Sequence, residues 1–421
     1  MPSPRGTASV AASCLLLALA GTAVGADEQP WGHLHVNGFA TLAATYADTD
    51  GQADFRSAQF QSAGSGRSRH WDFANDSNLA LQLTWDTPYE PLRVVTQAIA
   101  ANDTHDDFKP RIDWLYLGWQ PAPDLSIRFG RFPFPSGMYS ETRWVNSSRL
   151  EVRAPQSIYA PLPVSSLDGA DLNHYLQSGP WLLRSRLSYG QTSTVIASRF
   201  GDTEVDLRSV ISAAFDLNRD NWRLYLGGFI SDTRVTSPQS KGLHDALHEQ
   251  AQSNPSLNAL ADDYTPDYSR VWQIDAGIEY LNAPWTVRVE GLYRNSQTKL
   301  VLDLANWNAT LGYTEGRLTP FVAIGQMRLH EPWRQQALPS GPPGAIAAVA
   351  AYNASLVTSN ETILSVGLRW DLDHGLALKA QLDRHQLDDE QSRGVFTNNT
   401  PEFVGRQAAI HVFTLALDYQ F

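Results

Sequence analysis

Cysteine is almost missing from this 421-residue chain: Cys14 is the only one. That excludes a disulfide framework, the usual staple of small exported domains. Cys14 also precedes an apolar run rather than following it, which is the wrong side for a lipidated cysteine. Long apolar runs are missing too. No stretch approaches the roughly 18 consecutive apolar residues that argue for a membrane-spanning helix. Positive charge is in deficit, with 32 Lys and Arg against 44 Asp and Glu, a net charge of -12, so nucleic acid is not an expected partner. Charged residues make up only 18% of the chain, and helical periodicity is hardly found.

What is present begins at the amino terminus. Arg5 lies in a short, acid-free leader, followed by "CLLLALAGTAVGA" (14–26) and then "DEQ". The pattern predicts a secretory signal peptide over 1–26, cut after Gly25 or Ala26. Removing it takes away Arg5 and the only cysteine, so the net charge moves from -12 to -13. An exported protein of this size without disulfides fits one large hydrogen-bonded framework over 27–421.

From residue 33 onward the chain alternates apolar and polar residues in sixteen segments: 33–46, 78–87, 92–101, 110–119, 125–132, 168–177, 181–192, 205–217, 221–233, 268–281, 285–297, 302–313, 318–330, 361–371, 376–388 and 408–421. Most match the 9–11 residues a transmembrane strand needs. The connections alternate as well. Seven are tight and rich in Pro, Gly, Asn and Asp: 88–91, 120–124, 178–180, 218–221, 282–284, 314–317 and 372–375. The other eight are mostly long and polar: 47–77, 102–109, 133–167, 193–204, 234–267, 298–301, 331–360 and 389–407. A soluble sandwich has no reason to keep every second loop short. A membrane barrel does, with periplasmic turns at one rim and extracellular loops at the other. The expected fold is all-β, a sixteen-stranded antiparallel transmembrane β-barrel.

The strand faces agree. Leu364, Val366, Leu368 and Trp370 alternate with Ser365, Gly367, Arg369 and Asp371. Similar alternation sets Ile274 and Ile278 against Asp275 and Glu279, and Val287 and Val289 against Arg288 and Glu290. The apolar set is expected to face lipid and the charged set a wet lumen. Trp85, Trp119, Trp181, Trp222, Trp285 and Trp370 all stand at strand ends beside tight turns, where an interfacial aromatic girdle belongs. The last segment, "FTLALDYQF" (413–421), alternates strictly, and its outer set ends in Leu417, Tyr419 and Phe421. That set resembles the terminal signal by which outer-membrane barrels are recognised for assembly.

Several segments in order resemble the Gram-negative porin superfamily, in its proteobacterial small-solute branch. "VNGFATLAATYADTD" (36–50) is similar to a first strand and "DSNLALQL" (76–83) to a second. "KPRIDWLYLGWQPAPDLSIRFGRFPFPSGMYSE" (109–141) resembles the strands that lead into a pore loop, and "LDGADLNHYLQSGPWLLRSRLSYG" (167–190) the pair that follows. The similarity runs from first strand to last and weakens after residue 200. It implies a homotrimeric diffusion channel in the cell outer membrane, inserted by the barrel-assembly machinery, whose third loop folds inward. The small residues Gly38, Ala40, Ala43 and Ala44 of the first strand would let neighbouring barrels approach closely.

Loop 133–167 is the longest and carries Phe134, Tyr139, Trp144, Ile158, Tyr159 and several prolines, too apolar for a free extracellular tail. Folded inside, it would present Glu141, Arg143, Arg149, Glu151 and Arg153 as constriction residues. The resemblance implies a basic wall opposite. The candidates are Arg93, Arg128, Arg184, Arg186, Arg208, Arg223 and Arg288, with Arg131 at the loop root, among the acids Asp86, Asp171, Asp206, Asp216, Asp275, Glu290 and Asp371. Such a pair of faces sets up a transverse field. Each arginine can equally serve as a wall ion pair.

The function expected is passive diffusion of small hydrophilic solutes and ions, without catalysis, cofactor or metal. A channel specific for a sugar, carboxylate or phosphate is the alternative. Trp114 and Tyr116 on one face hint at a sugar ladder, whereas lysine is too scarce for a phosphate one. A barrel enzyme would need a nucleophile, a histidine and an acid at the outer rim, and no such constellation stands out. "HDALHE" (244–249) spaces His244 and His248 for one helix face, but lacks the Glu that a metalloprotease helix sets after its first His, so a loop helix is expected there. "GAIAAVAA" (344–351) is too short to span a bilayer and is expected to pack over the barrel mouth or a neighbouring loop.

Overall fold

A computed structural model of the chain describes residues 32–196, 201–330, 342–355, 360–388, 392–403 and 409–421. The signal peptide expected over 1–26, Cys14 included, lies outside the described residues. Sixteen long strands form one sheet: β1 (His33–Ala47), β2 (Asn78–Asp86), β3 (Leu92–Ala101), β4 (Arg111–Ala122), β5 (Leu125–Pro133), β6 (Ser166–Ser178), β7 (Trp181–Ile196), β8 (Thr203–Arg219), β9 (Trp222–Thr236), β10 (Ser269–Asn282), β11 (Trp285–Ser296), β12 (Leu304–Tyr313), β13 (Leu318–Met327), β14 (Glu361–Asp371), β15 (Leu376–Leu387) and β16 (Ile410–Gln420). Each differs by only a few residues from the segment read in the sequence.

Every strand runs antiparallel to its neighbours in chain order, and the ring closes on β1. His33–Thr41 of β1 lie opposite Asp86–Asn78 of β2, while Phe39–Ala47 lie opposite Gln420–Val412 of β16. A two-residue piece, Trp71–Asp72, carries the ladder past β2 by pairing with Tyr46 and Thr45. Closure pairs the backbone groups all round, which lipid requires because it offers them no hydrogen-bond partner.

The faces are inverted relative to a soluble protein. Leu42, Ile211, Leu226 and Leu364 stand exposed on the outside, whereas Asp171, Gln273, Glu290, Lys379 and Asp418 are buried within. Water would not tolerate so continuous an apolar belt, and lipid does. Trp85, Trp119, Trp222, Trp285 and Trp370 are exposed on the outer face beside the tight turns. Trp181 joins them under the Arg219 guanidinium, 4.9 Å from its ring centre. Tyr280 and Tyr313 pack on Trp222 and Trp285, with ring centres 4.5 and 4.9 Å apart.

Two expectations about faces are corrected. Simple alternation assigns Asp206 and Arg208 to the lumen. The β8–β9 register shifts between Arg208 and Ile211, with Ser209 at φ 48°, and one extra residue exchanges the faces. Val205 and Leu207 therefore point inward, while Arg208 stands outside with Asp206, Arg234 and Tyr268. In β1, Ala40 and Ala44 are on the outer set but Ala43 is on the inner, 2% exposed. Gly38 is covered by this chain's own last residue: a Cβ there would stand 2.3 Å from Cζ of Phe421.

The loops at the far rim carry helices. After α1 (Gln156–Tyr159) in the long loop that follows β5, Ser237 caps α2 (Pro238–Ala251) by accepting from the Ser240 N–H at 3.1 Å. Leu243, Leu247 and Ala251 of α2 are buried against Leu260 and Ala261 of a second helix (Asn258–Asp263) and against Ala345, Val349 and Tyr352 of a third (Pro343–Ser355). The apolar run 344–351 thus contributes to a helix packed on a neighbouring loop, as expected. The first and last loops are tied by a small ladder of Asp54–Phe55 with Ser65–Gly66 and Phe396–Thr397.

Candidate constriction and vestibule

The chain between β5 and β6 bonds to side chains that point into the barrel, so its position follows from theirs. At its root Phe134 stacks near Phe229, with ring centres 5.0 Å apart, and Arg186 Nη2 donates to the Pro133 carbonyl at 2.5 Å. Gly137 then turns at φ 125°, its N–H donating to the Tyr225 hydroxyl at 3.0 Å. A Cβ at Gly137 would lie 2.6 Å from Tyr159 Oη and 2.9 Å from Glu290 Oε1, so both the angle and the space demand glycine. Glu290 accepts from the Met138 N–H at 2.7 Å and from the Tyr159 hydroxyl at 2.9 Å.

Further along, Lys379 Nζ donates to the carbonyls of Asn146 (2.7 Å) and Glu151 (2.9 Å), and Arg369 Nη1 to those of Ser147 (2.6 Å) and Arg149 (2.7 Å). The return path makes one short helix, Gln156–Tyr159, whose Ser157 carbonyl accepts from Asn306 Nδ2 at 2.7 Å. These partners belong to β7, β9, β11, β12, β14 and β15. The loop is therefore held from both sides of the barrel rather than by one wall.

Among the five constriction candidates Glu141 is the one that faces the cluster of Arg128, Arg184 and Arg186. Arg184 meets it with two nitrogens, at 2.8 and 2.7 Å, while Arg128 and Arg186 come within 3.4 and 3.5 Å. Burial alone would raise its pKa. The Arg184 hydrogen bonds and the charges of Arg186, Arg184 and Arg128 outweigh that and hold the carboxyl well below the usual carboxylate range. Beneath it Asp171, with no exposed side chain, neutralises Arg128 at 2.5 Å and Arg186 at 2.7 Å. Glu141 keeps 34% of its side chain exposed, the most in this group.

The other candidates have different tasks. Arg143 donates to the carbonyls of Tyr159, Leu162 and Val164 and so folds the loop on itself. Arg149, 1% exposed, does the same for Thr142 and Arg143 and lies over the Tyr139 ring. Glu151 accepts from the Thr310 hydroxyl at 2.5 Å and sits 3.9 Å from Arg288. Arg153 bridges Asp76 and Asp383, each at 2.7 Å, and also donates to Thr414 at 2.6 Å. Burial opposes the Asp76 charge, but Arg153 keeps that carboxyl below its ordinary range.

On the wall, Arg128, Arg184, Arg186, Arg223 and Arg288 point inward, Arg223 paired to Asp216 at 2.5 Å and Arg288 to Glu279 at 2.6 Å. Arg93 is inward at the tight-turn rim beside Asp86, 3.4 Å away. Arg131 is corrected. Three residues from Arg128, it falls on the opposite face of β5 and pairs outside with Asp168 at 2.7 Å. Tyr116 is inward, its ring 5.5 Å from the Arg128 guanidinium. Sequence reasoning passed over Lys379 and Asp383, although period 2 along β15 sets both on one face with Gln381.

Between the loop's return path and the outer rim lies a cavity of about 300 Å³. Leu162 and Val164 of the loop, Leu207, Phe229 and Val271 of the wall, and Leu302 line it. Among the described residues its charged lining is Arg56, Arg294 and Arg393. Arg56, in the first loop, donates to the carbonyls of Val395 (3.3 Å) and Gln59 (2.5 Å), and burial pulls its guanidinium down to about 10. Arg294 uses Nε and Nη2 on Gln273 Oε1 (2.9 and 2.7 Å) and Nη1 on the Pro161 carbonyl (3.1 Å). His244 and His248 of α2 meet edge to face, ring centres 4.4 Å apart, with Nδ1 of His244 at the Ala261 carbonyl. Among the described residues no group of three His, Cys, Asp or Glu is placed to hold a metal ion.

No protein-family model and no curated protein matches this chain. Solved structures do. Salmonella typhi OmpF, in its complex with daunomycin, superposes with a TM-score of 0.53 at 10% identity, over 93% of this chain and 98% of that one. The outer membrane channel DcaP of Acinetobacter baumannii gives 0.51 at 13% identity, over 92% and 97%. An anion-selective porin from Comamonas acidovorans gives 0.50 at 11% identity, over 92% and 99%. With its closed ring of sixteen strands and its apolar belt, this chain has the fold of the porins of the Gram-negative outer membrane.

Proposed function

We propose that the protein is an outer-membrane diffusion channel for small hydrophilic solutes and ions, with the gap beside Glu141 as its narrowest charged passage. One observation carries the reading: a long loop is pinned inside the barrel with a water-exposed carboxylate opposite Arg128 and Arg184. A fixed negative charge facing fixed positive ones, between low-dielectric walls, orients and sorts solutes by charge and dipole. The assembled form we propose is a homotrimer, in keeping with a trimer form described for Vibrio cholerae OmpT, which superposes with a TM-score of 0.51 at 10% identity. Ala40 and Ala44 on the outer face of β1 suit a close approach between barrels. Leu417, Tyr419 and Phe421 form the strip that the assembly machinery would read. A hydrolase would need a serine joined to a histidine and an acid at the outer rim. Among the described residues His244 meets the Ala261 carbonyl, and His385 pairs with Glu361 while its Nε2 meets no hydroxyl, so the serine of such a constellation is not in place.

The test is conductance of the purified protein in planar bilayers, with reversal potentials in a salt gradient. Stepwise ohmic conductance whose reversal potential shifts toward anions in Glu141→Gln is the expected result. A protein that inserts but conducts no ions would refute the reading.

A further inference from the structure

The cavity above the loop does not match a passage meant only for hydrophilic solutes. Leu, Val and Phe side chains make much of its walls, with neutral Thr, Ser, Gln and Asn between them, and among the described residues its charged lining is three arginines and no carboxylate. Two of those arginines are more than nine-tenths buried, Arg56 at 6% and Arg294 at 7% exposure. Each spends its hydrogen bonds on neutral oxygens: the Val395 and Gln59 carbonyls for Arg56, and the Gln273 amide and Pro161 carbonyl for Arg294. Neither has a carboxylate within ion-pair distance among the described residues; Asp275 and Asp303 act on Arg294 only from farther away. Arg128, Arg153, Arg186, Arg223 and Arg288 instead each hold an acid at 2.7 Å or less. Arg143 and Arg149 also bond to neutral oxygens, but those belong to their own loop and neither arginine lines the cavity.

A buried cation without a counter-ion is costly, and the cost falls when an anion enters. Guanidinium is suited to this, because its planar fork matches a carboxylate. An anion alone would leave the apolar walls wet, and an apolar molecule alone would leave the arginines uncompensated. At about 300 Å³ the cavity is at the lower end of small-molecule sites, which are commonly apolar clefts with a few convergent polar groups.

We propose that this vestibule is a binding site for small amphipathic organic anions, a carboxylate on an aromatic or aliphatic body, with Arg56 and Arg294 facing the carboxylate and Leu162, Phe229 and Val271 covering the body. Such a site captures its solute at the outer rim and hands it to the arginine wall around Glu141. The capture site deepens the channel reading and rests on it for the onward step.

Titration calorimetry of the purified protein in detergent tests it with benzoate, benzamide and acetate. Benzoate is expected to bind saturably, at least tenfold more tightly than either of the others, because only benzoate satisfies both the walls and the arginines. Arg56→Gln should weaken benzoate by about tenfold or more and leave benzamide unchanged. Equal binding of benzoate and benzamide, or of benzoate and acetate, overturns the proposal on the unaltered protein alone, whatever the folding of the variant. So does undiminished benzoate binding in a folded Arg56→Gln. Conductance in potassium chloride is measured in parallel. A conducting protein that fails to prefer benzoate sinks the vestibule site and leaves the channel intact. Benzoate preference without ion conductance sinks the channel and leaves the site.

Discussion

In the proposed constriction the charge turns on Glu141. Its neutralisation in Glu141→Gln removes a fixed negative charge from among Arg128, Arg184 and Arg186, so the reversal potential should move toward anions. The pH dependence has a definite sign. A carboxyl held below its ordinary value is fully ionised above that value and loses its charge only as pH falls through the lowered one. The difference between wild type and Glu141→Gln is therefore expected to keep its size from pH 8 down to about pH 4.3, where an ordinary glutamate would be half protonated. A difference that fades between pH 6 and 4.3 would show that the arginines do not hold the carboxylate. Raised salt should reduce the shift, since the Debye length falls to about 3 Å near 1 M. Gly137→Ala is the second residue-level case. It forces a Cβ into the Tyr159–Glu290 contact at a left-handed φ and should cost about 1–3 kcal/mol, read as a lowered thermal midpoint.

At the scale of the element, the inward loop is fixed by its partners more than by its own sequence. Arg153 is the strongest single tie, because it joins Asp76, Asp383 and Thr414 with 7% of its side chain exposed. Removing it in Arg153→Met strands two buried carboxylates, at a cost of about 3–5 kcal/mol for a broken buried pair. Single-channel conductance should rise or become noisy as the loop loosens, and excising part of 144–153 should raise it further. Unchanged conductance in both would place the bore elsewhere. The strands were legible in the sequence because period 2 and tight turns are local signals: β10, β11 and β14 carry the faces their alternation predicts. The loop's inward course was suggested by its aromatics and prolines. Its charges were not legible. Arg143 and Arg149 have the same residue type as Arg153, but they bond to carbonyls of their own loop, and only tertiary placement separates those roles. Arg208 and Asp206 were misplaced for a related reason, since the bulge at Ser209 leaves no mark in the pattern of apolar residues.

At the scale of the whole barrel, the closing pair of strands is the feature that makes one molecule of sixteen hairpin-linked parts. Phe421 lies over Gly38, stacks with Tyr419 at 5.5 Å, and exchanges backbone hydrogen bonds with Gly38 at 2.9 and 3.0 Å. Phe421→Ser should lower the outer-membrane yield of folded protein several-fold, whereas Gln420→Ser, which loses only an exposed bond from Ser147, should not. Equal yields would remove Phe421 from the docking step. The same seam also orders events in time. Most ladders join neighbours in the chain and can form as soon as a hairpin is complete, but Phe39 must wait for Gln420. Until then the sheet is an open ribbon with a bare edge on β1 and another on β16, each able to capture a foreign strand. The small ladder between Phe55 and Phe396 spans that same gap from the loop side, so it acts as a clasp that can hold the two edges in register while the final strand slides home.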